Sequence, residues 1–271
     1  MTRSLLWTGA WLAAWLLPMA LACGSTGVGN PGPAETGTLS LAIVSDDDDT
    51  APEPGSSGPA ATDADGSAPV VPLPRGALER AALVIGSVRW LPCDDAEPVI
   101  TQSGPFLVDL VAGTRPALPA FEVPAGGLCG FDAPLAPARE GGEFLGRSLL
   151  FSGTRADGVR FLLFANLRAT LRVRAPRGEV WGGAGDQALL WAMRPRRWAA
   201  AQELDNEATS DADGPRTLVI DADRHPLLFA LIRARLAGQS ALFLDRDRDG
   251  VLDAEDRSDG QVGTGTTDPE E

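Results

Sequence analysis

The sequence predicts a mainly β protein, an antiparallel β-sandwich of the prealbumin or immunoglobulin kind with one or two short helices. Three observations carry this. Short apolar or alternating runs recur at near-regular spacing, and 31 glycines and 22 prolines cut them to strand length. Only two segments place apolar residues at helical spacing. With 44% hydrophobic residues the chain can fill a core, in one β domain or two.

The elements follow in order. Residues 38–44 alternate and suit a first strand. From Asp46 a stretch rich in Asp, Pro, Gly, Ala and Ser runs to about residue 75; it has almost nothing to bury and reads as a disordered insertion. Its four consecutive aspartates read as a solvated acidic loop, since adjacent side chains diverge. Residues 81–91 form a β-type run ending in Trp90-Leu91-Pro92. In residues 104–111, Phe106, Val108 and Leu110 share one face. Short strands are expected at 119–123 and 129–133, around the turn Pro124-Ala125-Gly126-Gly127. Residues 148–153 and 159–165 make a hairpin through Asp157-Gly158, a dipeptide suited to tight turns. In the strand at 167–173, Ala169, Leu171 and Val173 should face in, with Arg168, Thr170, Arg172 and Arg174 out.

Residues 188–193 are a further strand, 195–204 a short helix, 205–215 a polar acidic loop and 217–220 a short strand. At Pro226 the period changes: Leu227, Leu228, Leu231, Ile232 and Leu236 give a helix over 226–237, closed by Gly238. Residues 240–244 lead as a strand into an Asp-rich loop, and 257–271 read as a disordered acidic tail.

The N-terminus carries a secretory signal over residues 1–22: Arg3, an apolar run over 5–17, and small residues at Ala20 and Ala22. That run is shorter than the roughly 20 residues a membrane span needs. Cleavage leaves Cys23 first. Its thiol can be lipidated, anchoring the chain to the outer membrane by acyl chains; the same flanks also fit plain secretion. Residues 23–36 would then be a flexible tether. Cys93 and Cys129 remain as an even pair in an oxidising compartment and are expected to form a disulfide, the alternative being two buried thiols.

Composition narrows the function classes. The net charge of −14 argues against a nucleic-acid partner, whose phosphates demand a basic face. The chain has no lysine and no tyrosine, and His225 is its only histidine, which removes Schiff-base lysines and multi-histidine zinc sites. His225 precedes Pro226 and reads as a helix N-terminal residue rather than a catalytic base.

One motif carries chemistry. Residues 245–256 read D-x-D-x-D-G-x-x-D-x-x-D. Ca²⁺ takes six to eight hard oxygens. Asp245, Asp247 and Asp249 would supply alternating carboxylates, Gly250 the sharp turn and Val251 a backbone carbonyl. Asp253 would bind through water, and Asp256 would close the site. Because Asp replaces the longer Glu at the last position, affinity should be weak, about 10⁻⁴–10⁻³ M. A solvated acidic loop is the plain alternative. The motif resembles the calcium repeats of dockerins and thrombospondin type 3 modules, here in a single copy.

A second resemblance rests on Gly37-Thr38-Leu39-Ser40-Leu41, residues 83–89, Phe106-Leu107-Val108-Asp109-Leu110 and Val123-Pro124-Ala125-Gly126. Over about residues 37–135 the chain is similar to uncharacterised bacterial lipoproteins with a prealbumin-like β-sandwich domain. The resemblance implies a sandwich fold and a cell-envelope location, and no activity. The expected protein is therefore a non-enzymatic envelope protein with structural calcium, anchored to the membrane and binding a glycan or another envelope protein. The competing reading is a secreted glycan-active hydrolase working through paired carboxylates. Tryptophans could stack on sugars, but Trp90, Trp191 and Trp198 read as core.

Overall fold

The computed structural model describes residues 37–46, 72–74, 77–94, 97–113, 116, 118–124, 126–139, 142–183, 185–207, 216–258 and 260–269. The signal segment, Cys23, the tether and most of the 46–75 insertion lie outside them. The described residues form one compact unit.

Twelve strands pair among the described residues: β1 (Thr38–Ser45), β2 (Leu78–Leu91), β3 (Ile100–Asp109), β4 (Phe121–Glu122), β5 (Gly130–Pro134), β6 (Leu149–Thr154), β7 (Arg160–Ala165), β8 (Ala169–Arg174), β9 (Gln187–Met193), β10 (Thr217–Ile220), β11 (Ser240–Leu244) and β12 (Gly263–Pro269). The helices are α1 (Ala201–Asp205), α2 (Pro226–Gly238) and α3 (Ala254–Ser258), with short 3₁₀ turns at Gly142–Phe144 and Pro195–Arg197. The segment expected as one helix over 195–204 is thus a 3₁₀ turn followed by α1.

The order along the sheet is β10-β7-β6-β2-β5-β8-β12-β11-β9-β1-β4, with β3 paired to β2. The mainly β class holds, but the expected antiparallel arrangement does not. The sheet is mixed: β1 runs parallel to β9, and β10 parallel to β7. Parallel neighbours need long connections, and the sequence between them supplies these. Strand β2 is the branch point. Its first half pairs with β6 and its second half with β5, while β3 lies along its other edge.

One apolar cluster draws on both arms. It includes Leu39 and Ile43 of β1, Leu83, Ile85 and Trp90 of β2, Phe131 of β5, Phe151 of β6 and Trp191 of β9. The Trp90 and Phe131 rings lie 5.0 Å apart, and Phe131 meets Trp191 at 5.1 Å. All four described tryptophans are buried, as the core reading of Trp90, Trp191 and Trp198 requires. A second, smaller cluster sets Leu252 against Val44, Leu190, Ala192, Ala241 and Phe243. These residues alternate with the core residues of β1, β9 and β11, so the acidic loop is seated on the opposite sheet face.

Four local expectations change. Residues 263–269 are not a free tail; β12 inserts between β8 and β11. Its glycines are spaced for close approach: a Cβ on Gly265 would strike Ser240 Oγ and the Ala237 carbonyl oxygen. Thr267 Oγ1 also accepts from the Ala237 N–H at 3.1 Å. The Gly/Thr composition that resembles a linker is a fit to crowded neighbours.

Asp46 is not part of a solvated loop. It is 6% exposed, and its carboxylate takes Arg194 at 2.7 Å and Arg257 at 2.9 Å. At the far end of the insertion Leu73 is buried, exchanging hydrogen bonds with the Arg196 N-ε and carbonyl groups. Thr170, expected to face out, is buried as well, on a strand that lies between β5 and β12. Gly238 belongs to α2 rather than to a left-handed stop; Gln239 is the C-cap.

Candidate metal centre

The acidic loop joins β11 to α3. Its path is set by backbone bonds before any ion is considered. The Asp245 N–H donates to the Ala188 carbonyl of β9 at 2.9 Å, continuing the ladder past the strand end. The chain then turns through two left-handed residues, Arg248 (φ 62°) and Gly250 (φ 72°). Gly250 adopts this region without strain. Arg248, which lacks that freedom, is held by donating to the Asp186 carbonyl at 2.8 Å.

Each aspartate folds back on the loop. Gly250 N–H donates to Asp245 Oδ2 at 3.1 Å, Asp249 N–H to Asp247 Oδ1 at 3.2 Å, and Val251 N–H to Asp249 Oδ1 at 2.6 Å. The result is convergence: one carboxylate oxygen from each of Asp245, Asp247 and Asp249 lies within 4.8 Å of the others. Asp247 and Asp249 are exposed, whereas Asp245 is 7% exposed. Asp245 Oδ1 is fully buried and has no hydrogen-bond partner. Burial pushes the Asp245 carboxyl above its ordinary range. The Asp256 and Asp247 charges push the same way, against the Gly250 and Arg248 N–H groups.

The other residues of the motif take different posts. Val251 is exposed, its N–H held by Asp249. Asp253 caps α3, with Oδ1 accepting from the N–H groups of Glu255 at 2.7 Å and Asp256 at 3.2 Å. Asp256 is 1% exposed and ties the loop's ends, accepting from Arg246 N–H at 3.1 Å and Asp253 N–H at 3.2 Å. The structure therefore gathers the first three carboxylates and gives Asp253 and Asp256 backbone work.

Two further groups were not legible from the motif. Arg257, one residue past it, reaches Asp46 at the end of β1. Asp186, just before β9, accepts from Thr38 through its N–H at 3.1 Å and its hydroxyl at 2.6 Å; these bonds hold its carboxyl below the ordinary range. Both pairings span more than a hundred residues, and no local signal announces them. A cavity of about 390 Å³ opens beside the loop, between Asp245 and Asp249 on one side and β1 and β9 on the other.

The donor chemistry fits a hard divalent cation. Three converging carboxylates repel one another, and a buried oxygen without a donor costs free energy that a cation would recover. Elsewhere, Cys93 and Cys129 are joined as a disulfide. His225 is the N-cap of α2 ahead of Pro226, and its Nδ1 lies 2.7 Å from Glu207. No protein-family model, curated protein or solved structure matches the chain.

Proposed function

We propose that the chain is exported, anchored through Cys23, and acts in the cell envelope as a non-enzymatic β protein. In this reading its loop at 245–256 binds Ca²⁺. The observation that carries the metal reading is the buried, partnerless Asp245 Oδ1 beside the Asp247 and Asp249 carboxylates. The ion would be held by Asp245, Asp247 and Asp249, neutralising charge that the fold leaves uncompensated. Its role is structural. The loop seats Leu252 on the sheet and delivers Arg257 to Asp46 and β12 to its slot. Calcium would fix all three. Export supplies the ion, since media outside the cytoplasm hold it freely. Two-layer packing of the arms that branch from β2 belongs to the same proposal, supported by the single core they share.

Thermal melting with calcium and with chelator tests the metal reading. At tenfold excess over Kd the ion should add about 1.4 kcal/mol, a rise of about 3–6 °C at this size. Asp245→Asn should abolish the rise; equal melting of the unsubstituted protein in both buffers would remove the site. Membrane fractionation tests the anchor: Cys23→Ser should release the protein, and continued attachment refutes lipidation.

A further inference from the structure

The cavity beside the loop has a wall of different character from the loop itself. Thr38 and Ser40 of β1 and Gln187 of β9 line it, with Asp249 and Arg248 opposite. Pro116 and Leu118 add an apolar side, and Asp245 lines the same space. We infer that this cavity is a saccharide site, in which a vicinal diol of a neutral sugar completes the coordination of the loop's calcium ion. The inference rests on the calcium reading.

Three features converge on that ligand. The first is coordination number. Ca²⁺ takes six to eight oxygens, yet both oxygens of Asp256 and one of Asp253 already accept from backbone N–H groups. The three gathered carboxylates leave positions that a pair of adjacent hydroxyls can fill.

The second is charge. Asp186, Asp245 and Asp249 line the cavity against the single guanidinium of Arg248, and Asp247 adds to the loop's charge. A bound divalent ion leaves the site acidic, so an anionic ligand is repelled. A neutral polyol gains instead, because its O–H groups donate to the carboxylates.

The third is shape. The volume falls in the ligand-pocket range of about 300–1,000 Å³, and the apolar side given by Pro116 and Leu118 suits the C–H face of a sugar ring. No tryptophan is needed: all four described are buried elsewhere.

The test uses the purified protein with methyl α-D-mannoside, methyl β-D-galactoside and methyl α-L-fucoside, read by saturation-transfer NMR. Calcium binding is followed separately by calorimetry. At least one glycoside should receive saturation in millimolar calcium and lose it in EGTA. Ser40→Ile, compatible with a strand, should fill the cavity, weakening that glycoside at least about tenfold while calcium binding persists. The deoxy analogue lacking one hydroxyl of the diol should likewise lose its signal, a result independent of any variant's folding. Calcium binding with no transfer to any of the three glycosides overturns the saccharide site alone. So does transfer that survives EGTA or removal of the hydroxyl. Absence of calcium binding overturns the metal reading and this inference together.

Discussion

The segment around Cys93–Cys129 and the acidic segment after β11 both hold together strands distant in sequence, but with opposite chemistry. In the first, the disulfide joins the end of β2 to the start of β5 across 36 residues. Beside it Trp90 and Phe131 pack without exposure, and the indole N–H of Trp90 is paired within the chain. Trp90 Nε1 donates to Gln102 Oε1 at 2.9 Å, and Gln102 Nε2 donates to the Pro119 carbonyl at 2.6 Å. In the second, Asp245 Oδ1 is buried with no donor, and one carboxylate oxygen from each of Asp245, Asp247 and Asp249 lies within 4.8 Å of the others. A hydrogen-bond network that ends inside the protein, as Trp90–Gln102–Pro119 does, asks nothing of the medium. An open one is completed only by something outside the chain. The two staples should therefore respond differently to the same perturbations.

The largest separation should come from the apolar region. Trp90→Ala removes a fully buried ring and leaves Gln102 Oε1 without its donor, costing about 3–5 kcal/mol. Chemical denaturation should show the same loss with calcium and with chelator; a calcium-dependent loss would mean that the two regions are not independent. Next, replacing Cys93 and Cys129 together by Ser frees the loop they close. The loss should be about 3–4 kcal/mol in the chain-entropy account, and the size of the calcium-induced melting shift should not change.

The smallest effect sharpens the contrast between carboxylates with and without partners. Glu203 of α1 is partly buried, which alone would raise its pKa. The two-pronged Arg235 contact, at 2.6 and 2.8 Å, and the Ala200 N–H outweigh that and hold it below the usual 4.5. A lowered folded-state pKa means stability that is present above about 4.5 and lost as pH falls through the lowered value. Glu203→Gln should cost about 1–2 kcal/mol at neutral pH. Urea midpoints of variant and parent should converge in acid; a difference that stays constant down the pH scale would deny the ion pair its role.

Local order was legible wherever a residue's fate depends on its neighbours in sequence. The hairpin of β6 and β7 forms at Asp157-Gly158 as its turn chemistry requires, with Gly158 at φ 81° and Asp157 Oδ1 accepting from Val159 N–H at 3.0 Å. Pro226 opens α2, and the alternation of Ala169, Leu171 and Val173 marks the buried side of β8. The 245–256 motif is legible for the same reason: aspartates at alternate positions around a turn-making glycine can meet without help from elsewhere. What was not legible depends on partners far along the chain. Composition alone cannot distinguish a glycine in a linker from Gly265, whose missing side chain admits Ser240 and the end of α2. Nor can it distinguish a solvated aspartate from Asp46, which two arginines reach from 148 and 211 residues away.

The sequence by itself determined the strand-length periodicity, the turn positions, the even cysteine pair and the carboxylate spacing of the loop. These follow from side-chain alternation and backbone preference within a few residues. Only the tertiary structure decided that the sheet is mixed, that β12 fills a gap between β8 and β11, and that Asp253 and Asp256 serve backbone groups. It also decided that Asp245 Oδ1 is left buried without a donor. Pairing direction and the supply of hydrogen-bond partners are settled by whichever distant segments arrive, and local preference carries no record of them.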